Sequence, residues 1–296
     1  MDKYLKALSD GYYGYANYLW NEILHPSWHN YFYWLIGASL LIWVLELIFP
    51  WRKNQPAIRQ DFWLDLFYLF WNYFLFLLIA YNALSLVAVT LFGDFLGLFG
   101  ISNLVAIQIE HWPFWGKIVL IFVVRDFMQW AIHRMYHRVG WMWEFHKVHH
   151  STREMGFAAL LRYHWMENVI YRTLEYLPLA MIGVGLTDFF LVHIFTLVTG
   201  QLGHANLNIP LGPLKYILNG PQMHLWHHAR NLPESHPNGF NYGITLSIWD
   251  FLFGTHYWPK DDANLQVGLP DEEQFPEDFV GQNTEPFRRI FGKNKS

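Results

Sequence analysis

The amino-acid sequence predicts an all-α fold: an integral-membrane helical bundle of about four transmembrane segments, one of them a hairpin, under a cytoplasmic helical cap rich in histidine. Three observations carry that expectation. The 296 residues are 53% hydrophobic and 20% aromatic but only 15% charged, an apolar excess well beyond the soluble norm. Several apolar runs are long enough to cross a hydrocarbon core of roughly 30 Å at about 1.5 Å per helical residue. Three histidine clusters, HRMYH, HKVHH and HLWHH, fall in polar stretches that topology places on one side of those runs.

The first span runs from about Tyr31 to Pro50, with Trp34, Trp43 and Trp51 studding or flanking it as interface aromatics do. A polar break follows, carrying Arg52, Lys53 and Arg59. The second apolar run, about Phe62 to Phe92, exceeds one crossing, so it tilts or extends past the interface. The segment from Gly93 to Gly116 holds no Lys or Arg, which by the positive-inside rule places it outside and the preceding basic loop in the cytoplasm. A third span, Lys117 to about His133, returns to the cytoplasm, and the Arg134, Arg138, Lys147, Arg153 and Arg162 that follow agree with that side. The apolar run from Val169 to Gly200, interrupted by Pro178, Gly183, Gly185 and Asp188, reads as a helical hairpin that brings the chain back just before His204. From Asn219 onward Pro, Gly and Asn are frequent, which predicts a cytoplasmic cap of mostly irregular structure. The N-terminus lacks the basic-then-apolar pattern of a cleaved signal, so insertion is expected to use the internal spans. One domain over 1–296 is the simplest organisation, with a transmembrane part (1–116), a histidine-motif core (117–258) and a tail (259–296). The competing reading is a soluble bundle whose apolar helices are simply buried.

On a helix, residues three and four apart share a face, so each cluster presents several imidazoles in one direction. In an HxxHH run the first histidine lies between the last two when viewed down the axis, and the adjacent pair splays by about 100°. His149 with His150, and His227 with His228, therefore suit two neighbouring metals. No cysteine is present, which excludes an intrinsic iron–sulfur cluster, a thiolate-ligated haem, a cysteine nucleophile and a disulfide. A net charge of −4 without a basic tract argues against nucleic acid as a partner. Imidazole suits iron, copper, zinc and nickel alike, so the ligand type alone does not name the metal. A hydrolytic zinc site of the HExxH kind would place a Glu base among its ligands, yet here Arg134, Met135, Tyr136, Lys147, Val148, Leu225 and Trp226 stand between them. Two irons caged by many neutral imidazoles at a membrane surface fit oxygen activation against an unreactive lipid C–H bond. The alternative from another class is a non-catalytic membrane protein that binds or transports metal, which predicts polar ligands along a path through the spans.

The three motifs, with DFMQWAIHR before the first, WMWEFHKVHHS around the second and NYGITLSIWDFLFGT after the third, resemble the fatty acid hydroxylase and sterol desaturase superfamily over about Asp126 to Thr255. The resemblance implies a non-haem di-iron lipid hydroxylase or desaturase acting on a membrane-embedded sterol, fatty acyl or related lipid with O2. Its ligands would be His133, His137, His146, His149, His150, His204, His224, His227 and His228. Electrons would come from a separate reductase, with no bound flavin or haem, and zinc would be accepted by the purified protein. Related hydroxylases usually supply a tenth nitrogen ligand. His164, in RYHWMEN, stands where the family has a His-Pro-x-Glu element, with Trp165 in place of Pro, and is expected either as that ligand or as a donor behind it with Glu167. Asn206, in GHANLNIPLG, is expected to orient a ligand or a metal-bound water. Asp126 and Gln129 precede His133 by two turns and one turn, where either fixes an imidazole tautomer, unless Asp126 simply pairs with Arg125. Trp141, Trp143, Trp226 and Trp249 are expected to pack or sit at the interface, and His193 to lie in the core or a substrate channel. His25, His29, His111, His236 and His256 read as surface or packing residues.

Overall fold

The computed structural model describes residues 2–27, 30–102, 104–260 and 262–292, so His29 and the last residues of the tail lie outside the described residues. Every regular element among the described residues is helical.

The first helix, α1 (Asp2–Leu24), was not expected from the sequence. Among the described residues, α2 (Tyr31–Ile48) and α3 (Phe62–Gly97) are the two helices long and apolar enough to cross a membrane by length and composition. α3 runs for 36 residues, unbroken but loosened by π-helical turns at Trp71–Leu75 and Leu77–Tyr81. At about 54 Å it is longer than a bilayer core requires. α1 lies antiparallel against its second half. Lys3 pairs with Asp94, the Tyr4 hydroxyl donates to Asp94 at 2.9 Å, and the Tyr15 hydroxyl donates to the Tyr73 carbonyl at 2.9 Å. The two backbones touch at Gly11, where a Cβ would come within 2.8 Å of Ala83 Cα, so only glycine permits this crossing. Leu40, Leu41, Ile79, Leu84 and Val89 remain exposed along α2 and α3, an apolar girdle that water would not tolerate.

α4 (Phe114–Arg138) and α5 (Gly140–His150) are separated by Val139 alone. α4 carries Arg125 and Asp126, both buried, so it fails a purely apolar test although its length suffices to span. The hairpin forms as α6 (Trp165–Met181) and α7 (Leu186–His204). Its break falls at Gly183, whose φ of +66° only glycine adopts readily, rather than at Pro178, which stays inside α6.

Three short helices punctuate the cap: α8 (Pro221–His227), α9 (Ile248–Leu252) and α10 (Phe279–Gly292). The described residues from Asn219 onward are mostly irregular, as expected, but the 14-residue α10 is a regular element that the sequence did not single out. Its amphipathic pattern is masked by Pro286 and by Asn, Gln and Gly, and packing on α5 decides the outcome.

The cap docks on the bundle through an apolar plug. Phe157, Ala158 and Leu161 of a 3₁₀ turn pack with Ile42, Phe62, Ala205 and Leu207. Two buried carboxylates on the apolar helices tie it down. Glu46 Oε1 accepts the Phe157 and Asn206 amides at 2.8 and 2.6 Å, and Asp65 accepts Arg59 at 3.0 Å and Arg162 at 2.7 Å.

Candidate metal centre

The last two turns of α4 supply His133 and His137, the second half of α5 supplies His146, His149 and His150, α7 ends on His204, and α8 with the residue after it supplies His224, His227 and His228. All these rings converge. His133, His137, His146, His150 and His227 bring one nitrogen each within 4.8 Å of one another, and His149, His204, His224 and His228 do the same beside them. The adjacent pairs 149/150 and 227/228 are divided between the two sets, as the helical splay requires.

Their outer nitrogens explain how the rings are aimed. His133 Nδ1–H donates to the Tyr242 carbonyl at 2.8 Å, His149 to Arg162 at 2.9 Å, His204 to Gly200 at 2.8 Å and His227 to Phe240 at 2.7 Å. His146 Nδ1 meets Glu167 Oε2 at 2.7 Å. A carbonyl accepts only, so each of the first four rings carries its proton on Nδ1 and turns a bare Nε2 lone pair inward.

That has a consequence for His149 and His204, whose Nε2 atoms lie 3.1 Å apart with no proton available between them. Two lone pairs at that distance repel unless a cation stands between them. Two nitrogens bound at right angles to one ion at about 2.1 Å would themselves be about 3.0 Å apart. His137 Nε2 and both ring nitrogens of His228 are buried without a hydrogen-bond partner, a costly condition that a metal would relieve at one nitrogen of each ring. Burial also holds His146, His150, His224, His227 and His228 well below the usual imidazole range, and His149 at about 4. The rings are neutral at pH 7 and fit two divalent cations.

Several expected partners are elsewhere. Neither Asp126 nor Gln129 reaches an imidazole, since Tyr242 already holds His133. Asp126 instead accepts the Trp249 indole at 2.8 Å and the Thr245 and Leu246 amides, which anchors the loop that presents Tyr242. Nor does Asp126 pair with Arg125, which faces Glu175, Thr196 and His193. Asn206 Oδ1 accepts the Arg52 amide at 2.8 Å and serves the loop after α2 rather than a ligand. His164 lies outside the two clustered sets. Its Nδ1 accepts the Met166 amide at 3.0 Å as the N-cap of α6 and its Nε2–H donates to the Asn283 carbonyl at 3.1 Å, so neither nitrogen is free. Glu167 does stand behind His146 as expected. Trp143 packs its ring against His137 and His150, at 4.9 and 5.2 Å between centroids, while Trp141 is exposed. His193 lies within the bundle, its Nε2 3.2 Å from the Tyr31 hydroxyl.

Residues that sequence reasoning missed include Asp250, which gathers the Tyr242 and Gly243 amides, the Thr255 hydroxyl and the Trp130 indole. The only signal was its place in the quoted NYGITLSIWDFLFGT motif. Gly243 is part of the same turn, because a Cβ there would fall 2.3 Å from the Leu246 carbonyl oxygen.

With this geometry in hand, comparison with known proteins is specific: residues 118–255 match the fatty acid hydroxylase family model. That segment, just under half of the chain, is similar to the fatty acid hydroxylase domain. An ornithine lipid hydroxylase of Rhizobium tropici is 31% identical over 180 residues, 61% of this chain and 53% of that protein. Human alkylglycerol monooxygenase is 36% identical over 146 residues, 49% of this chain and 31% of its own, and methylsterol monooxygenase 1-1 of Arabidopsis thaliana is 24% identical over 143 residues, 47% and 46%. The chain thus spans about half or less of the length of these relatives. No solved structure matches it. The hydroxylase domain begins just inside α4 and ends just beyond α9, so it contains all nine clustered histidines, while α1 to α3 and α10 lie outside it.

Proposed function

We propose that the nine histidines hold two iron ions and that the protein inserts oxygen from O2 into a C–H bond of a bilayer lipid. The observation that carries this reading is the partition of nine neutral imidazoles, eight buried and His137 half-buried, into two neighbouring sets, with the bare lone pairs of His149 and His204 opposed. His133, His137, His146, His150 and His227 would hold one ion, and His149, His204, His224 and His228 the other. The irons supply the redox chemistry that lets O2 attack an unactivated C–H bond. The protein supplies a dry cage, fixed tautomers and an apolar bundle that admits an insoluble substrate from the side. The names of the relatives, hydroxylases and monooxygenases of ornithine lipid, alkylglycerol and methylsterol, favour hydroxylation over desaturation.

In this reading α2, α3, α4 and the α6–α7 hairpin cross the bilayer and the cap faces the cytoplasm, which the Lys and Arg distribution supports. The whole chain acts as one domain. Electrons arrive from a separate reductase, because the chain has no cysteine and no flavin or nucleotide fingerprint. Zinc in a purified sample would reflect the affinity of imidazole cages rather than the working metal. A metal-transport role is disfavoured by the polar cluster inside the bundle, which is built around the Arg125 cation and would repel a divalent ion.

The test is aerobic turnover of a lipid panel by the ferrous-loaded, reductase-coupled protein. His149→Ala and His227→Ala should each abolish product, and unchanged turnover in both would overturn the assignment.

A further inference from the structure

Among the described residues, only one clustered histidine is backed by a carboxylate: His146, through Glu167. The carbonyls behind His133, His149, His204 and His227 are neutral. Glu167 is itself held from both ends. Its Oε1 accepts the His164 amide at 3.2 Å and its Oε2 faces His146, so it forms half of the capping box that starts α6. The other half is the His164 ring, which can accept the Met166 amide on Nδ1 only if its proton sits on Nε2. What keeps it there is the Asn283 carbonyl of α10, 3.1 Å away. Phe287, one turn further along α10, lies 5.5 Å from the His164 ring, 5.2 Å from Phe145 of α5 and 5.9 Å from Trp165. Tyr68 of α3 locks the helix in place, accepting from Asn283 Nδ2 at 3.1 Å and donating to Gln282 Oε1 at 3.0 Å.

We infer that α10, which lies outside the hydroxylase domain, is a positioning element for one of the two metals. By fixing the tautomer of His164 it sets the cap of α6, the cap orients Glu167, and Glu167 aims and strengthens His146 as a ligand of the five-histidine set. Among the described residues no carboxylate stands behind the four-histidine set: its outer contacts are the Arg162 carbonyl behind His149 and the Gly200 carbonyl behind His204. This rests on the two-metal reading above and adds that the two sites answer differently to the tail.

The experiment is a Co²⁺ titration of the full-length, metal-free protein in nanodiscs, followed by the visible absorption of each bound ion, with helix content checked by circular dichroism. Phe287→Ala, which removes the packing of α10 on His164 and α5 without altering any of the nine clustered histidines, and Glu167→Gln should each weaken one Co²⁺ by about 10–100-fold, the usual effect of removing a partner behind a ligand. The second ion should bind as in the parent. His204→Ala, which disables the four-histidine set, should leave a single ion that Phe287→Ala then weakens. Val280→Ala, on the exposed side of α10, should titrate like the parent. Equal weakening of both ions in Phe287→Ala, or of neither, would overturn the inference. A parent that binds two ions but oxidises no lipid once iron-loaded would instead defeat the proposed activity and leave this role of α10 standing.

Discussion

His149 and Asp65 never touch, yet the carbonyl that aims the first belongs to Arg162, whose guanidinium the second holds at 2.7 Å. Asp65 is fully buried and serves Arg59 as well, so Asp65→Ala would strand two guanidinium groups without their shared carboxylate. The expected cost is about 3–5 kcal/mol, read as a lower midpoint of thermal unfolding, with loss of metal at the His149 set before global unfolding. Asp65→Asn, which keeps the volume and one acceptor, should fall between. The residues that converge were legible in the sequence because each cluster is local: three-residue and four-residue spacing on a helix fixes a shared face. What lies behind them was not. Tyr242, Phe240, Arg162 and Gly200 act through their carbonyls, which every residue possesses, so side-chain chemistry gives no hint of them. The same blindness explains why Asp126 and Gln129, correctly spaced on the face of His133, were displaced by a backbone oxygen from a residue 109 positions away.

Helices reveal themselves by apolar length, and α2, α3, α4 and the α6–α7 pair begin or end within a few residues of where hydropathy places them. α1 and α10 escaped because neither is a continuous apolar run, and each is stabilised by what it packs on. For α1 that partner is the overlong second half of α3, and their closest approach is Gly11 against Ala83. Gly11→Leu should push the pair apart at a cost of about 1–3 kcal/mol, since the obstacle is backbone that cannot rotate away. Protease sensitivity of the first 24 residues would report it, while the metal content should not change. An unaltered digestion pattern would show that α1 is held by polar contacts such as Lys3 with Asp94 and Tyr15 with Tyr73 rather than by the close backbone crossing.

For the molecule as a whole, the cap's buried imidazoles make acid its natural denaturant once metal is removed. In the folded state His149 and His164 are both held by burial at about 4, whereas in an unfolded chain each titrates near the ordinary value of 6.5. Between those limits only the unfolded state takes up protons, so stability of the metal-free protein should be flat above neutrality and decline as pH drops from about 6.5 towards 4. Melting curves across that range test it, and a midpoint independent of pH would contradict it. Bound metal should postpone the decline, because it stabilises the folded state that binds it. The two carboxylates that secure the cap, Glu46 and Asp65, ride on α2 and α3, apolar helices most of whose length the rest of the protein leaves uncovered. Lipids with shorter or longer tails than the native ones change the tilt of such helices. Under the proposed function, any change in tilt would pull on the cap through those two side chains, so the acyl-chain length of the host membrane would set how firmly the proposed ions are held, independent of the substrate supplied.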